Sequence, residues 1–175
     1  KSKGINILMS KTGHSLIKEM INSENADIAG EMSGHIFYKY QYYGYDDAIF
    51  ASLKIVNLLN QSDHKLSEIT KPYLKSSSTP EIKLHCAEKD KFQILSNLID
   101  KIRVTYINQV EIIDIDGVRV ESKDFWFLIR ASNTQNCLVF RLEHFDSKNF
   151  KIEINNLIKL LQNYKLDISE LTGFN

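Results

Sequence analysis

The stretch Glu111-Ile112-Ile113-Asp114-Ile115-Asp116-Gly117-Val118-Arg119-Val120-Glu121 decides the fold of the second half of the chain. Apolar residues recur on both sides of Asp116-Gly117, a dipeptide that tolerates the positive φ angles of a type I′ turn. The stretch is therefore predicted to be a β-hairpin. A two-residue turn sets Ile115 opposite Val118 and Ile113 opposite Val120 on one side. On the other it sets Asp114 opposite Arg119, an opposite-charge pair. Strands are predicted at Glu81 to Cys86, Phe125 to Arg130 and Cys137 to Phe145. Helical stripes lie at Phe92, Leu95, Ile99 and Ile102, and at Phe150, Ile154, Leu157, Ile158 and Leu161. The sum is an α+β domain, an antiparallel sheet with helices on one face.

Toward the N-terminus the composition changes. Lys71 to Pro80 contains three serines, a threonine and both prolines of the chain. Such polar sequence packs no core, so residues 72–80 are predicted to be a linker. It separates an N-terminal domain, 1–71, from a C-terminal domain, 81–175. The first half alternates strand and helix. Ile5 to Met9 reads as a short buried strand. Ser15 to Asn25 reads as a helix with Leu16, Ile17, Met20 and Ile21 on one face, and Asp27 to Ala29 as a second strand. Asp46 to Asn60 reads as a helix with a stripe at Ile49, Leu53, Val56 and Leu59 or Asn60. Asp46 and Asp47 stand where acids favour a helix start. This order predicts an α/β layer with a parallel sheet.

The composition narrows the function. Of 175 residues, 43% are apolar and 25% charged, as in an ordinary globular protein. Twenty-two basic residues balance 22 acidic ones, which argues against a nucleic-acid coat or a basic membrane clamp. No apolar run reaches the ~18 residues of a membrane span, and the apolar stretch near the N-terminus is too short for a secretory signal. Cys86 and Cys137 are too few for a disulfide framework and lack metal-ligand spacing, so they read as small packed thiols in a reducing cytoplasm.

Three segments bear chemistry. In Gly30-Glu31-Met32-Ser33-Gly34-His35, the glycines allow close backbone approach to a ligand. Glu31 and Ser33, two apart on an extended chain, point the same way and suit the vicinal hydroxyls of a sugar. One His and one Glu at this spacing make no zinc ligand set. In Arg130-Ala131-Ser132-Asn133-Thr134-Gln135, an Arg fork with hydroxyl, amide and backbone donors reads as a phosphate cradle or as a hydrogen-bonded turn. Lys11-Thr12-Gly13-His14-Ser15 opens a helix, where anions are favoured, and Thr12 is the candidate cap. His64, His85 and His144 read as incidental.

Taken in order, these blocks resemble the later part of an α-D-phosphohexomutase of the phosphomannomutase/phosphoglucomutase type. Lys11 to Lys18 resembles a stretch of the family's third domain. Gly30 to His35, with Asp46-Asp47-Ala48 after it, resembles the sugar-recognition loop. Gly117 to Glu143 resembles the phosphate loop of the fourth domain. The resemblance implies half of an α/β third domain, then a fourth domain resembling the TATA-binding-protein fold. It implies that Glu31 and Ser33 hold sugar hydroxyls, that His35, His14 and Lys11 lie near the sugar or its phosphate, and that Arg130, Ser132, Asn133 and Thr134 grip the phosphate that is not transferred. Met32 resembles the mannose/glucose members; glucosamine-phosphate mutases typically have Gln there.

The implied reaction interconverts hexose 1-phosphate and 6-phosphate through a hexose 1,6-bisphosphate, with a phosphoserine and Mg2+ as the chemical agents. Neither the phosphoserine segment nor the aspartate-rich metal loop is found in this sequence. The expectations are therefore no catalytic and no metal residue in this chain, no mutase activity for the chain alone, and a phosphorylated hexose as partner. Nucleic acid and membrane are not expected as partners, and the expected setting is cytoplasmic. A separate chain bearing the missing N-terminal domains is a further expected partner. The alternative is a stand-alone phosphosugar-binding or degenerate module. Two departures from the family stand out: Asn136 replaces a usual Pro, which predicts a looser loop, and Asp124-Phe125-Trp126-Phe127 has aromatics where relatives have Gly. That bulk either packs against a neighbour or marks relaxed selection.

Overall fold

Ile82, Phe140, Ile129 and Val118 stand side by side across four adjacent strands, each 0–1% exposed. They are the central row of the larger of two units in the computed structural model, which describes residues 4–107 and 110–174. The units are Lys1–Pro72 and Tyr73–Asn175.

The first unit contains α1 (His14–Ser23), strands β1 (Ile28–Gly30), β2 (Ile36–Tyr38) and β3 (Tyr45–Asp46), α2 (Ala48–Asn60) and the short α3 (Leu66–Thr70). The three strands form an antiparallel meander in the order β1-β2-β3. The parallel sheet read from element order is thus corrected. The connection from β1 to β2 is a tight turn, which only an antiparallel pair can use. Ile5 to Met9, expected as a buried strand, is exposed and forms none: Ile5 is 63% exposed. A buried strand needs neighbours on both sides, and among the described residues none pairs with it. The core here is Ile17, Ile21 and Phe37, with Ala29 against it. The predicted stripe of α2 faces out, with Ile49, Leu53 and Val56 all exposed and only Ala51 buried.

The second unit runs β4 (Ser77–Ser78), β5 (Ile82–His85), a 3-10 turn (Glu88–Asp90), α4 (Lys91–Thr105), β6 (Glu111–Ile113), β7 (Val118–Glu121), β8 (Phe125–Ala131), β9 (Cys137–His144), α5 (Ser147–Leu161) and the short α6 (Ser169–Thr172). All pairings are antiparallel, in the order β4-β9-β8-β7-β6, with β5 on the same long strand β9. Inward residues of the sheet and the apolar stripes of α4 and α5 make one core on one face. All five stripe residues expected of α5 are buried. On α4, Ile94 and Leu98 take the face with Leu95 and Ile102, whereas Phe92 turns outward. No helix is long and apolar enough to cross a membrane.

Three further readings change. The hairpin pairs Ile112 with Val120 and Ile113 with Arg119, one residue out of the predicted register. A three-residue tip replaces the two-residue turn. Asp114 instead meets Arg103 of α4 at 2.6 Å, and Arg119 pairs with Glu121 and lies 4.0 Å over the Trp126 ring. The segment read as a linker is in part sheet. Pro80 has no N–H for the ladder, and the pairing slips by one residue between β4 and β5. Thr79 bridges the slip: its N–H donates to Leu142 O and its Oγ1 accepts from Leu142 N–H, so it is buried. The aromatics at 125–127 pack within their own unit. Phe127 is fully buried, and Trp126 donates to Glu143 at 3.1 Å.

Candidate functional site

The hairpin between β1 and β2 gathers one group of candidate residues. Glu31 N–H donates to His35 O, and Gly34 N–H donates to Glu31 O. Gly34 sits at φ +92, as the last residue of such a three-residue tip requires. The loop is therefore a turn and not the extended segment expected, yet Glu31, Ser33 and His35 still converge. Ser33 Oγ lies 2.6 Å from His35 Nδ1 and donates to Glu31 Oε2 at 3.5 Å. The other oxygen, Glu31 Oε1, is out of solvent and has no donor among the described residues.

His14 comes to the same place from the start of α1. Its N-cap is Gly13, one residue after Thr12. The His14 and His35 ring centroids are 4.9 Å apart. Both Nε2 atoms face Asp46 Oδ2, at 3.5 and 3.8 Å. Asp46 is the residue sequence reading missed. It was counted with Asp47 as a helix start, but only Asp47 caps α2, accepting from Phe50 N–H at 2.8 Å. One N-cap needs only one acid, but the sequence does not say which of the two adjacent aspartates is spare. Tyr42 also donates to Asp47. The Phe50 amide and then this phenol hold the Asp47 carboxyl below the usual carboxylate range. Lys11 is exposed two residues before Gly13.

The loop between β8 and β9 gathers the second group. Arg130 is half-buried on the sheet face opposite the helices. Among the described residues its side chain makes one hydrogen bond, a 3.4 Å contact to Ala131 O, and no carboxylate pairs with it. Asn133 and Thr134 are exposed. Ser132 is buried, and its Oγ accepts from Thr134 N–H and Gln135 N–H. Its hydroxyl hydrogen remains a donor.

A second residue escaped sequence reading. Lys91, the first residue of α4, is 4% exposed. Its ammonium donates to Ser132 O at 3.0 Å, Gln135 O at 3.3 Å and Glu88 Oε2 at 3.0 Å. All three N–H donors are used, and two of them pin the loop. Asn136 O accepts from Cys86 N–H. These bonds tie the loop to α4 and to the end of β5. A lysine at a helix start reads as solvated, so no local signal marks it.

Each loop, taken by itself, presents hydrogen-bond donors and acceptors. Among the described residues, the one group of three ligand-type side chains is His14, His35 and Asp46. Two imidazoles and one carboxylate do not suit Mg2+, which takes oxygen ligands in octahedral geometry.

Comparison with known proteins agrees across the chain. The model described as phosphoglucomutase/phosphomannomutase, alpha/beta/alpha domain III, matches residues 1–76, and the one described as phosphoglucomutase/phosphomannomutase, C-terminal domain, matches residues 81–152. A phosphoglucomutase of Neisseria meningitidis is 41% identical over 82% of this chain and 31% of its own length. A phosphomannomutase/phosphoglucomutase of Pseudomonas putida is 39% identical over 78% of this chain and 29% of its own length. A crystal structure of a phosphoglucomutase/phosphomannomutase family protein from Burkholderia thailandensis matches with a TM-score of 0.79 and 31% identity, over 93% of this chain and 33% of that one. The chain thus spans about a third of the length of these relatives. With two of the family's domain models matching in succession, the chain belongs to the phosphoglucomutase/phosphomannomutase family.

Proposed function

We propose that this chain is the substrate-holding part of a phosphohexomutase that interconverts the 1- and 6-phosphates of glucose or mannose through a bisphosphorylated hexose. The observation that carries the reading is the convergence of Glu31, Ser33, His35 and His14 at one hairpin tip, with Glu31 Oε1 left as an unused acceptor. Glu31 and Ser33 bind two neighbouring hydroxyls. The imidazoles of His14 and His35, with Lys11, lie toward the ring or its phosphate. Arg130, half-buried and without a carboxylate, takes the phosphate that stays on the sugar, helped by Ser132, Asn133 and Thr134. Such residues accelerate a reaction by position, holding a substrate that must be presented in two orientations.

The phosphoryl chemistry itself requires groups outside these residues, and the donor set here does not fit Mg2+. No step is therefore assigned to a metal in this chain, and the partner that supplies the chemistry is another part of the enzyme or a second chain. The two free thiols, Cys86 and Cys137, suit a cytoplasmic setting.

The test is calorimetric binding of glucose 1-phosphate and mannose 1-phosphate to the 175-residue chain and to Arg130→Ala. Loss of about 1.5–3 kcal/mol of affinity, the worth of a charged hydrogen bond, is expected. Unchanged affinity removes Arg130 from the site. A mutase assay of the chain alone is expected to show no turnover, and measurable turnover would overturn the division of labour.

A further inference from the structure

Three ligand-type side chains from separate parts of the first unit meet at the mouth of the β1–β2 hairpin. His14 opens α1, His35 closes the hairpin turn, and Asp46 ends β3. The Nε2 atoms of His14 and His35 lie 3.5 and 3.8 Å from Asp46 Oδ2. One donor atom from each residue falls within 4.8 Å of the other two. A tetrahedral zinc ion with bonds of about 2.0–2.1 Å holds its ligands about 3.3–3.4 Å apart. Two edges of the triangle are thus within about half an ångström of that spacing. We propose that His14 Nε2, His35 Nε2 and Asp46 Oδ2 form a binding site for a divalent transition cation of the zinc class.

The surroundings of the three ligands favour this over a chance cluster. A metal-binding imidazole needs its second nitrogen held, because that bond sets the tautomer and the ring direction. His35 Nδ1 is held by Ser33 Oγ at 2.6 Å, and Ser33 is held in turn by Glu31 Oε2. With Nδ1–H donating to the hydroxyl and the hydroxyl donating to the carboxylate, the free lone pair is on Nε2, the atom that faces Asp46. Asp46 is oriented in the same manner. Its Oδ1 accepts from Ile36 N–H at 3.3 Å, which leaves Oδ2 for the cation. The His14 ring stands edge-to-face on Phe37, with centroids 5.2 Å apart, and Phe37 is fully buried.

The donor set selects the ion. Two imidazoles with one carboxylate suit zinc, cobalt or nickel and not magnesium or calcium. The side chains of His14 and His35 are 50% and 45% exposed. Three protein ligands with an open side are the arrangement that leaves a coordination position for water or an exogenous oxygen. A cation there would hold the imidazoles assigned above to the sugar, so zinc would compete with the phosphosugar. That consequence rests on the functional reading; the site itself does not.

The site is tested on the whole 175-residue chain, first freed of metal, in phosphate-free buffer near neutral pH. Equilibrium dialysis against zinc chloride measures stoichiometry and affinity, and the visible spectrum of the cobalt-loaded chain reports coordination. One equivalent of zinc is expected, with the intense cobalt bands of a four- or five-coordinate ion. His14→Ala and Asp46→Asn are each expected to weaken zinc about tenfold or more. His64→Ala removes an exposed imidazole that pairs locally with Glu68 and is expected to leave affinity unchanged. Circular dichroism of each metal-free variant separates a lost ligand from a lost fold, and His35→Ala replaces any variant that fails to fold. No zinc retained in excess metal, or zinc binding indifferent to His14→Ala and Asp46→Asn, overturns the site. Glucose 1-phosphate binding is measured separately. If it persists while zinc binding fails, the site falls and the functional reading stands; the opposite pattern supports the site and removes the reading.

Discussion

Gly117 lies against the backbone of Arg130. A Cβ built at position 117 would fall 2.2 Å from Ile129 O and 2.6 Å from Arg130 Cα. The tip of one hairpin is thus seated on the strand residue that presents the candidate phosphate ligand. Gly117 also has φ +77, a conformation that costs a non-glycine residue about 1–3 kcal/mol before any clash. Gly117→Ala is expected to lower the unfolding midpoint of the second unit by more than that strain alone. It should also weaken phosphosugar binding, because Arg130 must move. Calorimetry and thermal unfolding check both, and a variant as stable as the parent would show that the hairpin tip can shift freely.

Lys91 is expected to matter to the phosphate loop without touching a ligand. Lys91→Met keeps the apolar stem and removes the three donors. Ser132 O and Gln135 O then lose their partner in a buried setting, a cost of about 1–3 kcal/mol. The expected result is lower stability together with lower phosphosugar affinity while Arg130 is intact. Full stability in urea unfolding would mean that water replaces the ammonium.

Asp47 gives the first unit an acid-side dependence. Its folded pKa is depressed by the Phe50 amide and the Tyr42 phenol. Its contribution is therefore fully present above the unfolded aspartate value, about 3.9, and is lost as pH falls through the lower folded value. Asp47→Asn keeps a good N-cap and removes the charge, so it should flatten stability against pH in that acidic window while preserving α2. Tyr42→Phe should move the Asp47 titration back toward the ordinary range, as seen by carboxyl chemical shift.

The two units should differ in how readily they open. Among the described residues, the core of the second unit holds 19 buried hydrophobic side chains and that of the first holds three. Opening energy follows buried apolar contact. Hydrogen exchange is expected to be fast through α1 and β1–β3 and slowest in β8 and β9. Equal protection in both would mean that the first unit is held by more than Ile17, Ile21 and Phe37.

Helices were legible in the sequence because their period is local. The stripe on α5 needed no tertiary information, and the second unit's strands followed from alternation and turn residues. Failures arose where a distant partner decided. The hairpin takes another register than the Asp-Gly pair suggests, and in it Asp114 meets Arg103 of α4 while Arg119 meets Glu121 and Trp126. β2 and β3 span three and two residues, too short for a periodic signal, and without them the strand order read as parallel. Glu31, Ser33, His35 and His14 were visible as two separate blocks, and turn geometry joined them. Asp46 and Lys91 were not visible, because a helix-start acid and a helix-start lysine are ordinary surface residues until the fold turns them inward.

The slip around Pro80 bears on how this sheet avoids its own kind. The outer side of β9 is closed by two short pieces, β4 and β5, with Thr79 sealing the gap at Leu142. Cut at Glu81, the second unit would lose β4 and Thr79 and bare the end of β9 as a free edge, a template for pairing with other chains. The serine-rich segment that looks like a spacer is thus the guard against edge-to-edge aggregation, and proteolytic loss of it would turn a well-packed domain into a self-associating one.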